Sequence, residues 1–145
     1  MTRVHSFLGI RNLLAIASIA AGLAPQVSKA DNARCLLGDA VMNGTYVASG
    51  TGTVVGVGPI AVVGELIYNG DGTGNAVFLT QSVNGATSTL TNIPVTFSVN
   101  TDCTGSKTVG TGHYNFVITP DGSLITWIVT DNGVTLMGTG VRLRK

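Results

Sequence analysis

The stretch "YNGDGTGNAV", Tyr68 to Val77, decides between two folds. Laid on a calcium-loop template, Asn69, Asp71 and Thr73 take the first, third and fifth positions and Gly74 the sixth. The twelfth position is Thr80, so the bidentate carboxylate that completes the oxygen shell is missing, and one formal charge is left for a cation that takes roughly six to eight oxygens. A loop of that kind also joins two helices, whereas this one joins "ELIY" to "AVFLTQSV", both rich in residues that favour strands. Asn-Gly and Asp-Gly supply the positive φ that hairpin turns demand. The stretch therefore reads as a tight turn between two strands, with no metal and no cofactor implied.

The same signals extend in both directions. From Asn43 onward the runs "GTYVASGTGTVV", "PIAVVGELIY", "NAVFLTQSV", "STLTNIPVTFSVN", "KTVGTGHYNFVI", "SLITWIVT" and "VTLMGTGVRL" alternate with turns such as "GVG", "NGAT", "TDCTGS", "TPDG" and "DNG". Only "NARCLLGDAVM" suits a short helical turn. Long strands joined in order by short turns describe an all-β antiparallel meander, and closure would remove the sticky edges of an open sheet. Glycines inside the runs, Gly50, Gly52, Gly64, Gly110, Gly112, Gly138 and Gly140, suit the sharp bends of a small barrel of about seven or eight strands. A two-sheet β-sandwich is the alternative. An outer-membrane barrel has strands of similar length but needs aromatic girdles, and one Trp, three Tyr and four Phe supply few rings for them.

Residues 1–30 have the layout of a secretory signal: Arg3 and Arg11, the apolar run "LLAIASIAAGL", then "APQVSKA" with small Ser28 and Ala30 at the cleavage subsites. Cleavage after Ala30 is expected, leaving one β-barrel domain over residues 31–145, secreted or periplasmic. The apolar run is too short for a spanning helix, and Asp31 stands where a lipoprotein would carry cysteine. Removing Arg3, Arg11 and Lys29 from the eight basic residues leaves five against seven acidic ones, a formal charge of −2. Scattered cations of that number cannot displace counterions along a phosphate backbone, which excludes nucleic acid as a partner. Cys35 and Cys103, the two cysteines of the chain, are expected to form a disulfide in an exported protein.

Quoted in order, "NGTYVASGTG", "GELIYNGDGTG", "SVNG", "VTFSVNTDCTG", "YNFVITPDGS" and "TDNGVTLMGTG" resemble a family of small exported β-barrel proteins, similar in outline to the calycins, meaning lipocalins and the allene oxide cyclase type. The resemblance spans nearly all of the chain after the leader, and it implies a barrel of about eight strands around a small apolar cavity. It transfers no catalytic residue. The lipocalin "G-x-W" opening is replaced here by Gly44-Thr45-Tyr46.

Three sets of side chains are candidates for function. Glu65, the chain's one glutamate, lies in an apolar run; inside a barrel its carboxyl would be a candidate proton-transfer group for a cofactor-free isomerase or cyclase, with Tyr68 or Tyr114. Ile60, Val62, Leu66 and Tyr68 share one face and Ala61, Val63, Glu65 and Ile67 the other, and since both are apolar the alternation leaves the inner face open. His113 alternates with Asn115 and Val117, opposite Tyr114, Phe116 and Ile118, and reads as an outer-wall histidine, with no serine in a nucleophile-elbow context to serve it. Tyr46, Tyr68, Phe97, Tyr114, Phe116 and Trp127 would line a ligand cavity or simply fill the core, along with Phe78. Asn43-Gly44-Thr45 is also a formal glycosylation sequon. The leading expectation is a non-enzymatic binder of a small apolar ligand; a Glu65 enzyme and a structural protein with a filled barrel are the alternatives.

Overall fold

The computed structural model describes residues 34–144, so the expected leader and its cleavage point lie outside the described residues. A short 3-10 turn, Gly38–Val41, precedes eight strands: β1 (Asn43–Val54), β2 (Gly58–Asn69), β3 (Thr73–Val83), β4 (Ala86–Val99), β5 (Thr104–Val109), β6 (Gly112–Ile118), β7 (Leu124–Val129) and β8 (Val134–Arg144). Each pairs antiparallel with its neighbour in sequence, and β8 returns to β1 to close a barrel. The run from Lys107 to Ile118, expected as one strand, is divided between two. Gly110, at φ +60°, and Thr111 turn the chain back so that Val109 pairs with Gly112. Seven expected runs thus become eight strands, and an even number is what lets the last strand of a meander meet the first antiparallel.

The opening stretch is the β2–β3 hairpin. Asp71 Oδ1 accepts from the Thr73 backbone N–H at 3.0 Å and from the Thr73 hydroxyl at 2.6 Å, while Asn69 Nδ2 donates to that hydroxyl oxygen at 3.0 Å. This is a side chain imitating a backbone turn. The pattern recurs at β4–β5, where Asn100, Asp102 and Thr104 repeat all three bonds, and in related form at β6–β7 with Thr119, Asp121 and Ser123. At the opposite end of the barrel, Asn84 and Gly85 between β3 and β4 both take positive φ, +49° and +86°, as the primed hairpin turn of an Asn-Gly pair requires.

One irregularity decides which side chains face inward. Glu65 pairs with Phe78 but Leu66 with Ala76, so Val77 is a bulged extra residue in β3. Across from it on β4, Asn92 takes a left-handed φ of +52°. Parity therefore flips along β3: Ala76 is buried below the bulge, Leu79 and Gln81 line the lumen above it, and Phe78 is turned outward. The expectation that Phe78 belongs to the core fails for this reason.

The wall is uneven in height. β4 pairs with β5 only over Val95–Val99, leaving Ala86–Ile93 bonded to β3 alone, and β7 meets β8 only at Met137–Val141, leaving Val134–Leu136 bonded to β1 alone. Strands β8, β1, β2, β3 and β4 thus rise past the short β5–β7 side as a half-wall, and the barrel is open there.

The other end is plugged. Cys35 is bonded to Cys103 with the Cα atoms 5.0 Å apart, and Cys35 N–H donates to the Thr101 carbonyl at 3.0 Å. The Asp39 carboxylate receives the Val99 N–H at 2.7 Å, which sets the 3-10 turn across the base and buries Val41 and Met42. Tyr46 donates its hydroxyl to the Gly122 carbonyl at 2.6 Å, and the Arg142 guanidinium donates to the carbonyls of Val41 and Asp121.

Candidate functional site

The site begins with β5, "TGSKTV". Strand alternation turns Ser106 and Thr108 outward and Gly105, Lys107 and Val109 toward the axis. Lys107 is flanked by Phe97 on β4 and Tyr114 on β6, its register partners. It is 6% exposed. Its Nζ donates to the Tyr68 hydroxyl at 3.1 Å and stands 5.8, 5.5 and 5.5 Å from the ring centres of Tyr68, Tyr114 and Trp127. The barrel interior therefore contains an amine walled by three aromatic rings.

Two edge-to-face aromatic groups make that wall. Tyr46, Tyr68 and Phe97 stack in series with centroids 5.2 and 5.3 Å apart, filling the base of the lumen; Tyr114 and Trp127 meet at 5.6 Å on the other side. The indole fits because small residues face it. A Cβ added at Gly50 would lie 2.4 Å from Trp127 Cη2, and one at Gly138 would lie 2.6 Å from Trp127 Cζ2. The Trp127 N–H is buried and has no hydrogen-bond partner among the described residues.

Above the aromatic base lies a cavity of about 60 Å³. Lys107, Tyr114 and Trp127 form its polar and aromatic side; Val62, Leu66, Leu79 and Leu136 form its apolar side, with Gln81 from the tall wall. In register above them, Ile60, Val83 and Val54 continue the inner face toward the open rim.

Burial controls the chemistry of these groups. Among the described residues no acidic group offsets the desolvation of Lys107, and burial pulls its amine from the ordinary lysine value down to about 7. Burial, and then the neighbouring phenols Tyr46 and Tyr114, push the Tyr68 hydroxyl up, and burial likewise raises Tyr114. Tyr68 is therefore a neutral phenol at any physiological pH, able to donate or accept a hydrogen bond. The lumen thus brings together an amine that loses its proton near pH 7, a phenol bonded to it and the ring of Trp127.

The residues singled out from sequence are distributed unevenly around this space. Tyr114 and Trp127 line the cavity, and Tyr68 reaches it through Lys107. Tyr46 and Phe97 lie in the aromatic base beneath it, and Phe116 is buried against Gly105, where an added Cβ would meet the ring at 2.3 Å. Glu65 stands on the outer face, paired with Val47 and Phe78, away from the lumen it was considered for. His113 is on the outer wall, its side chain 62% exposed, with Nδ1 2.8 Å from Asp131 Oδ1 and its backbone N–H donating to Asp131 Oδ2 at 2.9 Å. These bonds from His113 hold the Asp131 carboxyl below its usual range. Lys107 was missed from sequence because a lysine next to a turn reads as a solvated strand end. The available signal was its parity with Val109 on a strand whose alternate residues are Ser106 and Thr108.

Compared with known proteins, the chain gives no significant match to a protein-family model, a curated protein or a solved structure.

Proposed function

We propose that the protein is an exported, disulfide-bonded barrel that binds a small apolar molecule in its lumen. The observation that carries this reading is the cavity of about 60 Å³ between the aromatic base and the open half-wall. Space of that size admits a molecule of about four to six non-hydrogen atoms, with the inner face of the tall wall available to a longer tail. The disulfide is compatible with an oxidising compartment, which supports export, and the eight-strand meander supports the calycin-like outline. Among the described residues no helix is long and apolar enough to cross a membrane.

Binding is read most directly from Trp127, the chain's one tryptophan, at the cavity wall. Titration with 1-butanol should change its fluorescence in a saturable way. Ala48→Leu, which fills the space from β1, should abolish that response while the protein stays folded. A linear, unsaturable response identical in both proteins would refute the reading and favour a barrel that is filled for structural reasons.

A further inference from the structure

Resting on the binding reading above, we propose that the lumen is a site for a small aliphatic aldehyde, held covalently and reversibly as an imine on Lys107. Two observations carry it. Lys107 is almost wholly buried yet lines the cavity, so a ligand in that space lies against its side chain. It donates to a phenol across the barrel, and among the described residues no carboxylate offsets its burial.

The step balances with the aldehyde alone. The lone pair of neutral Nζ adds to the carbonyl carbon while the C=O π pair moves to oxygen. A proton passes from nitrogen to that oxygen, giving a neutral carbinolamine. Loss of that hydroxyl with the remaining nitrogen proton releases one water and leaves the C=N bond. The neutral Tyr68 hydroxyl, 3.1 Å from Nζ, is placed to relay the proton, accepting one from nitrogen as it passes its own to the oxygen. The titratable groups around the amine are the phenols Tyr68 from β2 and Tyr114 from β6, with Tyr46 from β1 behind Tyr68. Burial that favours the neutral amine makes it a nucleophile near pH 7, where an exposed lysine is almost entirely protonated. The apolar wall of Val62, Leu79 and Leu136 suits an alkyl chain and disfavours a charged aldehyde.

The chain has three lysines, Lys29, Lys107 and Lys145, so adducts are readily assigned. The secreted protein is incubated at pH 7 with butanal and cyanoborohydride, and the reduced butyl adducts are located by peptide mass mapping. We expect Lys107 to be modified at least tenfold faster than Lys145, with 1-butanol in excess slowing only the Lys107 adduct. Lys107→Met should remove it, and Tyr68→Phe, which keeps the amine and loses the hydroxyl bonded to it, should slow it about tenfold. Adducts confined to Lys145 and the chain terminus would overturn the proposal. If butanal and 1-butanol quench Trp127 with the same affinity and no Lys107 adduct forms, the covalent step is wrong and simple binding stands. No saturable response to either compound would sink both.

Discussion

The amine of Lys107 on β5 and the hydroxyl of Tyr68 on β2 meet across the lumen at 3.1 Å, although β3 and β4 separate their strands in the wall. The bond places a titrating group in the centre of the core, and stability must therefore depend on pH. The unfolded lysine loses its proton near 10.5 and the folded one at about 7. Between those values the unfolded chain binds the proton and the folded protein does not, so stability climbs from pH 7 toward pH 10, and the deficit is complete below pH 7. The phenols act in the opposite sense: Tyr46, Tyr68 and Tyr114 are raised above their ordinary 10.0 by burial, so stability falls again beyond that pH. Urea unfolding at pH 6.5, 8.0 and 9.5 should show a rise of up to the order of 4 kcal/mol. A flat profile would mean that the amine is solvated or paired.

Lys107→Met should stabilise the protein at pH 6.5. A flexible apolar side chain of similar length replaces a buried charge that has no acidic partner, a change that typically contributes about 1–4 kcal/mol. The same variant should lose most of the pH dependence between 7 and 9.5. Thermal melts of both proteins across that range check the two claims together.

Replacing Cys35 and Cys103 together by serine should lower stability by about 4 kcal/mol, the chain-entropy value for a link spanning 68 residues. The loss should concentrate at the base, where amide exchange of Val99 and Cys35 would rise first, since their N–H groups bond to Asp39 and Thr101. Equal melting temperatures for the parent and the double variant would contradict the role given to the bridge.

Gly138→Ala tests the close approach of β1, β7 and β8. The new Cβ would lie 2.0 Å from the Ser49 carbonyl oxygen and 2.6 Å from the Trp127 ring. Overpacking of this kind costs about 1–3 kcal/mol or more, because backbone has to move. The near-ultraviolet circular dichroism of Trp127 should change with it, which a purely local backbone effect would not produce.

Tyr46→Phe removes the hydroxyl that joins β1 to the β6–β7 turn at Gly122, a buried bond across 76 residues of sequence. The expected loss is about 1–2 kcal/mol in urea unfolding, since the Gly122 carbonyl is left without that donor. An unchanged midpoint would mean that water replaces the phenol at no cost.

How much of this was legible beforehand follows from what alternation can and cannot encode. Turn residues at Asn69–Thr73, Asn84–Gly85 and Asp121–Gly122 marked the hairpins, and an unbroken series of hairpins pointed to a closed meander. Val117 outward with Phe116 and Ile118 inward was readable because β6 keeps strict alternation. Glu65 was ambiguous because both faces of β2 are apolar, and only pairing with Val47 and Phe78 placed it outside. The bulge at Val77 has no composition signature, so the outward turn of Phe78 was invisible. Lys107 was hidden by type: its burial depends on Tyr68, Tyr114 and Trp127, which reach it from three other strands.

The β1–β8 pairing has a kinetic consequence. Every other strand pairing joins neighbours in sequence and closes a short loop, within about 1–10 μs for a typical hairpin. The seam instead brings together segments roughly 90 residues apart, and its closure entropy must be met before its bonds are gained. We expect a folding transition state in which the hairpins are formed and the ring is still open. Changes along the seam, at Gly50 or Gly138, would then mainly accelerate unfolding and leave the refolding limb of a chevron nearly in place. On that account the lifetime of the native barrel is set at the glycine-lined joint beside Trp127.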